Sequence, residues 1–200
     1  MIVVRLKNSN MRPAVYLPQN EENMTTIKIV AGVVLVGGQS LRMGQEKALL
    51  DFKGRPLYAH MQMLLNSSGV VEIFFSGQIA GVKNCIPDNH PHQGPGRALG
   101  HVLTELHGRF SHLLVVAIDT PLLTSALLSQ LLASDTPCYY DKHPLPALLE
   151  CTPPVSDPRS VYALLNSQNA TCIHLPVSDE VLLKGANTPE EWEQLKNLSL

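Results

Sequence analysis

Residues 35–47 read Leu-Val-Gly-Gly-Gln-Ser-Leu-Arg-Met-Gly-Gln-Glu-Lys, and this short run gathers groups that hold phosphate. Gly37 and Gly38 lack a Cβ, so the backbone can bend sharply and bring its N–H groups against an anion. Arg42 offers a planar fork that donates two parallel hydrogen bonds to phosphate oxygens, and Lys47 adds a compact ammonium. Far along the chain, Asp119 closes the apolar run 113–118 (LLVVAI). A carboxylate at such a strand end is the candidate holder of Mg2+, which takes one or two carboxylates plus substrate phosphates. The plainer reading of Asp119 is an acid helping to cap the helix that follows Thr120 and Pro121. The plainer reading of the loop is a strand-to-helix turn with a solvated Arg and Lys. Together the residues point to a nucleoside triphosphate bound with magnesium.

Two commoner phosphate loops do not fit. A P-loop needs Lys directly after its second glycine and then Ser or Thr, whereas Gln45 and Glu46 separate Gly44 from Lys47. A dinucleotide fingerprint needs G-x-G-x-x-G after the strand, and the adjacent Gly37 and Gly38 break that spacing.

Such a loop works only when a rigid element carries it. Residues 27–36 (IKIVAGVVLV) are β-branched and almost continuously apolar, which suits a strand buried on both faces of a parallel sheet. Ligands of open α/β sheets bind outside the carboxyl ends of the strands. The spacing predicts a helix over 57–66, strands over 70–75 and 82–86, a helix over 96–107 and a strand over 113–118. Thr120 is then read as the N-cap, and Pro121 as the first turn, of a helix over 122–133. Short strands are expected near 137–141, 145–150 and 171–175, and helices near 158–167 and after Asn187-Thr188-Pro189. The alternation predicts one α/β domain with a mostly parallel central sheet over residues 26–200. Residues 1–25 are polar, lack the apolar core of a signal peptide and are expected to be a disordered tail. Met24 is an alternative start, because the strand pattern begins directly after it.

Composition narrows the partners. A net charge of -2 gives no global pull on nucleic acid or anionic membrane, so phosphate binding must be local. No apolar run reaches the roughly 18 residues that span a bilayer. Cys85, Cys138, Cys151 and Cys172 are scattered without a C-x-x-C pair, which suits thiols of a reducing cytoplasm. His90 and His92 could share a strand face, but no further ligand clusters with them, and they read as a solvated loop.

The pattern Leu35-x-Gly37-Gly38-x-x-x-Arg42-Met43-Gly44-x-x-Lys47-x-Leu49-Leu50, followed by Gly54-x-Pro56-Leu57, resembles the opening of the molybdenum-cofactor nucleotidyltransferases, and among them the guanylyltransferases. The segment around Asp119-Thr120-Pro121 resembles that family's Asp-Thr-Pro, whose Asp contacts nucleotide and metal. Asp88 stands where the family has an Asp that contacts the guanine nucleotide. The resemblance implies a Rossmann-like three-layer sandwich. It also implies transfer of GMP from GTP to the phosphate of molybdenum-bearing molybdopterin, with release of pyrophosphate. Leu35, Val36, Gly37, Gly38, Lys47, Asp88 and Asp119 would bind the nucleotide. Arg42, Lys47 and Asp119 would be catalytic, with Asp119 on Mg2+. The implied partners are GTP, molybdopterin and cofactor delivery proteins, in a cytoplasmic monomer or weak oligomer. The chain departs from the family at Gly96, where a Leu is usual, at Ser76 in place of Asn, and at Gly185, where the closing Asn-x-Asn-Thr-Pro-Glu-Glu begins with Asn.

Three other readings stay open on these residues. A cytidylyl- or uridylyltransferase would share the first loop. Gly94-x-Gly96-x-x-x-Gly100 with Asp119 imitates a nicotinamide-binding run, although the polar stretch 89–93 precedes it instead of a strand. A non-catalytic nucleotide-binding relative would accommodate the departures at Gly96 and Gly185.

Overall fold

The computed structural model describes residues 2–4, 15–17, 28–36, 46–89 and 93–198. Gly37, Gly38, Arg42 and Gly44 of the phosphate loop, together with Met24, His90 and His92, lie outside the described residues. Within the stretch expected to be a disordered tail, β1 (Ile2–Val4) and β2 (Val15–Leu17) pair antiparallel as a two-stranded ribbon, and the rest of that stretch lies outside.

The central element is β3 (Val30–Leu35), every residue of which is buried. After a 3-10 turn at Lys47–Leu49, a short hairpin of β4 (Asp51–Phe52) and β5 (Arg55–Pro56) leads into α1 (Leu57–Ser68). There follow β6 (Ile73–Ser76), β7 (Cys85–Ile86), α2 (Pro95–Leu106), β8 (His112–Ala117) and α3 (Ser125–Leu132). The chain closes with β9 (Cys138–Tyr140), β10 (His143–Glu150), α4 (Val161–Ser167), β11 (Thr171–Ile173), a 3-10 segment at Val177–Leu183 and α5 (Pro189–Lys196). Seven strands form one sheet in the order β11-β9-β10-β8-β3-β6-β7, and β10 alone runs against its neighbours.

The strict alternation of a strand divides the core in two. Val30, Val34, Leu114 and Val116 face Leu57, Met61 and Leu65 of α1, Leu128 and Leu131 of α3, and Trp192 and Leu195 of α5. Ala31, Val33, Leu35, Leu113 and Val115 face Leu99, Val102 and Leu103 of α2 and Leu164 and Leu165 of α4. The result is the expected three-layer sandwich. Gly32 sits in mid-strand because a Cβ there would come within 3.1 Å of both Leu65 Cδ1 and Val70 Cγ2. Its missing side chain lets α1 lie close to the sheet.

The helix after Asp119 starts later than its Thr-Pro signal suggests. Thr120 does not cap it: its hydroxyl donates to the Ala117 carbonyl at 3.0 Å, while Leu123 N–H donates to the Thr120 carbonyl at 3.2 Å. Residues 118–122 are thereby closed into turns that bury Leu122 and Leu123. Thr124, in extended conformation, accepts from Leu127 N–H and is the true N-cap of α3.

At the opposite sheet edge, β8 begins with the buried His112, whose Nδ1 lies 3.0 Å from Ser111 Oγ. Burial, and then the charge of Lys28, push its pKa down to about 4 from 6.5. The unfolded chain therefore takes up a proton that the folded chain refuses. Stability is expected to fall as pH drops from about 6.5 toward about 4, by at most ~1.4 kcal/mol per pH unit from this group. Urea unfolding at pH 7 and pH 5 measures the slope, and His112→Gln should flatten it; an unchanged slope in that variant refutes the assignment.

Candidate active site

β3, β6, β7 and β8 run parallel, so their carboxyl ends share one edge of the sheet. Three side chains from distant segments meet there. Lys47 Nζ donates to Asp119 Oδ2 at 3.1 Å and to Asn187 Oδ1 at 2.8 Å, across sequence separations of 72 and 140 residues. The Lys47 side chain is 15% exposed and that of Asp119 27%. The pair is thus partly sheltered, and its attraction is stronger than that of a surface pair, while solvent still reaches the carboxylate.

Each partner is fixed by local structure. Lys47 opens its 3-10 turn, where Leu50 N–H donates to the Lys47 carbonyl at 3.1 Å and Ala48 and Leu50 are buried. Asp119 follows β8 by two residues. Ile118 N–H continues the ladder to the Leu35 carbonyl at 3.1 Å, and Ala186 N–H donates to the Asp119 carbonyl at 3.3 Å. Two residues further on, the Pro121 carbonyl lies 2.9 Å from His60 Nε2 of α1. Burial lowers the His60 pKa, the bond to Pro121 opposes that shift, and the charges of Arg55 and Lys53 add to it. Asn187 precedes α5, whose Thr188 cap and Glu191 form a capping box. Glu191 Oε2 also accepts Asn187 N–H at 2.7 Å, which fixes the backbone that aims Asn187 at Lys47.

The other candidate residues are placed as follows. Leu35 is buried at the end of β3, and Val36 N–H donates to the Ser76 carbonyl at 3.1 Å. Gly37, Gly38 and Arg42 lie outside the described residues. Asp88, half-buried, follows β7 on the same sheet edge, but β6 and β3 stand between β7 and β8. Three strand spacings of about 4.8 Å put it ~14 Å across the sheet from the Asp119 strand. Lys47 and Asp119 are in contact, and Asp88 stands on the same sheet edge at the end of a strand three places from that of Asp119. Asn187 is the contact that the residue patterns did not single out; its signal was its place beside the Thr-Pro helix start.

Among the described residues, no group of three or more His, Cys, Asp or Glu gathers as a metal set. Asp119 stands as a single carboxylate, which suffices for Mg2+ when phosphates supply further oxygens. At Gly185 a Cβ would lie 3.3 Å from Asp119 Cγ and 3.4 Å from Oδ2, so a side chain there would crowd the carboxylate.

The glycines of α2 have a different occupant. A Cβ on Gly96 would lie 2.5 Å from Ser160 N and 2.6 Å from the Pro158 carbonyl oxygen; one on Gly100 would lie 2.9 Å from Pro158 Cγ. Arg97 pairs with Asp157 on the same loop. The protein's own backbone fills the space that a pyrophosphate would need, which removes the basis for the nicotinamide reading.

A family model described as MobA-like NTP transferase domain matches residues 32–168. The chain is 37% identical over 188 residues to a protein of Xanthomonas euvesicatoria pv. vesicatoria (strain 85-10) named molybdenum cofactor guanylyltransferase, covering 86% of this chain and 97% of that one. Among solved structures, molybdopterin-guanine dinucleotide biosynthesis protein A of Archaeoglobus fulgidus matches with a TM-score of 0.59 at 19% identity, over 84% of this chain and 97% of that one. A Mycobacterium tuberculosis H37Rv protein solved in complex with manganese matches with a TM-score of 0.58 at 15% identity, over 85% and 99%. These two likenesses show a shared fold.

Gly96→Ala separates packing from helix propensity. Propensity alone would stabilise α2 by about 0.5–1 kcal/mol. The contacts at 2.5–2.6 Å with backbone instead predict a net loss of about 1–3 kcal/mol. Urea denaturation decides, and a neutral or stabilised variant would show that the loop yields freely.

Proposed function

The chain belongs to the MobA-like NTP transferase family and is a nucleotidyltransferase; from that premise we propose that it transfers GMP from GTP to the terminal phosphate of molybdenum-bearing molybdopterin. The name of the relative at 37% identity supports this donor and acceptor. The observation that carries the reading is the meeting of Lys47, Asp119 and Asn187 at the carboxyl edge of the sheet.

An oxygen of the acceptor phosphate attacks the α-phosphorus of GTP. The bond from the α-phosphorus to the α–β bridging oxygen breaks, and its electron pair leaves with pyrophosphate. The nucleophile is already an anion, so no serine or cysteine is required. What the protein supplies is position and charge. Asp119 would hold Mg2+, which neutralises phosphate charge when bound. The Lys47 ammonium, held by Asp119 and Asn187 in the absence of ligand, shifts its hydrogen bonds to phosphate oxygens as negative charge builds on them. Gly37, Gly38 and Arg42 complete the phosphate cradle in this proposal, and Asp88 contacts the base. The cytoplasm is the compartment that suits the free thiols of Cys85, Cys138, Cys151 and Cys172.

Pyrophosphate release with molybdenum-bearing molybdopterin, Mg2+ and each of GTP, CTP and UTP tests the proposal; GTP should be preferred. Release with CTP alone would reassign the base, and triphosphate binding without release would mark a non-catalytic relative. Lys47→Ala should lower turnover about 10²–10³-fold, the usual loss for one charge-stabilising donor. Its stability should fall by about 1–2 kcal/mol, because the two charge-assisted bonds are sheltered but still reached by solvent. A fully active Lys47→Ala protein refutes its role.

A further inference from the structure

We propose that His60 is a positioning residue for Asp119, acting through the Pro121 carbonyl, with its ring held by Phe52; the proposal rests on the nucleotidyltransferase reading above. A carbonyl oxygen only accepts, so the 2.9 Å contact requires the proton on His60 Nε2, which donates to Pro121. Pro121 is buried and lies two residues after Asp119, in the turn that ends β8. The donor is firmly anchored: His60 projects from α1, whose Leu57 and Met61 are fully buried.

The ring has a second restraint. Phe52, fully buried, meets the His60 ring edge-to-face with centroids 4.8 Å apart, and Trp192 packs on Phe52 at 5.9 Å. Phe52 lies five residues after Lys47, and Trp192 five residues after Asn187. The three segments whose polar groups meet at the sheet edge are therefore joined a second time through Phe52, Trp192 and His60. Two links in that second layer are aromatic packing; among the described residues, its link to the Asp119 turn is the His60–Pro121 hydrogen bond. Loss of that donor leaves the Asp119 turn its bonds to Leu35, Ala186 and Ala117 to set its position, while the aromatic contacts keep the fold together.

The test uses the full chain with His60→Phe, which keeps a ring but has no donor, and His60→Gln, which keeps an N–H at the ε position. Steady-state pyrophosphate release, Mn2+ binding in the presence of GTP followed by electron paramagnetic resonance, and thermal unfolding are measured on each. His60→Phe is expected to lower kcat about tenfold or more, as a displaced charged group does, and to weaken Mn2+ binding several-fold. The KM for GTP should stay within about twofold, because Asp119 moves while the rest of the nucleotide site does not. His60→Gln is expected to recover both kcat and Mn2+ affinity to within a few-fold of wild type. Wild-type behaviour of His60→Phe overturns the proposal, and so does a defect that His60→Gln fails to rescue, which would assign the effect to something other than the lost donor. If His60→Phe does not fold, His60→Met provides the same donorless comparison. Wild-type protein that binds Mn2+ but releases no pyrophosphate with any triphosphate sinks the transfer reaction alone, and the Mn2+ comparison still decides His60. Wild-type protein that binds no Mn2+ even with GTP present overturns both.

Discussion

The Lys47 ammonium, lodged between a carboxylate and an amide oxygen, fixes how the carboxyl edge of the sheet must close. A charge with so little exposure is tolerated only when it is paired. Its partners at 3.1 and 2.8 Å come from segments that the chain brings back from far away. The three segments must therefore close on one another for the charge to be satisfied, and each constrains the others. Lysine has three N–H donors, and two are engaged among the described residues. In the proposed reaction, phosphate oxygens would compete for these same donors, so the contact that organises the site is also the one that ligand binding must rearrange.

The sheet makes that closure precise. β3 is flanked on both sides by parallel strands, and its ladder continues past the strand ends through Ile118 N–H to the Leu35 carbonyl and Val36 N–H to the Ser76 carbonyl. The residues that leave the sheet toward the site are thus still hydrogen-bonded to it. Below them, one face of the sheet packs against α1, α3 and α5. The helix that carries His60 and the helix preceded by Asn187 lie on that same face, so the elements that aim the site share one hydrophobic layer. Displacing any one of them would open apolar surface, at about 25 cal/mol per Å², as well as a polar contact.

Most of this architecture was legible in the chain. The continuous apolar runs that became β3 and β8, the spacing that became α1 and α2, and the Thr-Pro-Glu-Glu start of α5 each carry a local signal that the fold respects. Lys47 and Asp119 were legible as a pair because strand ends in parallel sheets converge. Three features were not. The N-cap of α3 lies four residues later than expected, since Thr120 used its hydroxyl as a donor to Ala117 and left the cap to Thr124. The β4–β5 hairpin is two residues deep on each side, too short for period-two alternation to register. The contacts of Asn187 with Lys47 and of His60 with Pro121 depend on segments separated by 140 and 61 residues, and no local pattern encodes such a meeting.

The departures from the family pattern now carry physical meanings that sequence alone left open. A larger residue at Gly96 would run into the backbone of Pro158 and Ser160, so glycine there answers to how tightly α2 meets the loop before α4. Gly185 is different: it is not held in a left-handed conformation, and a Cβ would reach ordinary to tight contact distance from the Asp119 carboxylate. Its absence of a side chain leaves that face of the acid uncovered, which favours access by an ion or a phosphate. One departure thus fits a helix against a loop and the other clears space beside an acid. The first leaves the Lys47–Asp119–Asn187 cluster untouched, whereas the second puts glycine beside the Asp119 carboxylate where the family pattern has a hydrogen-bonding asparagine, and Lys47 still meets Asp119 and Asn187 without it.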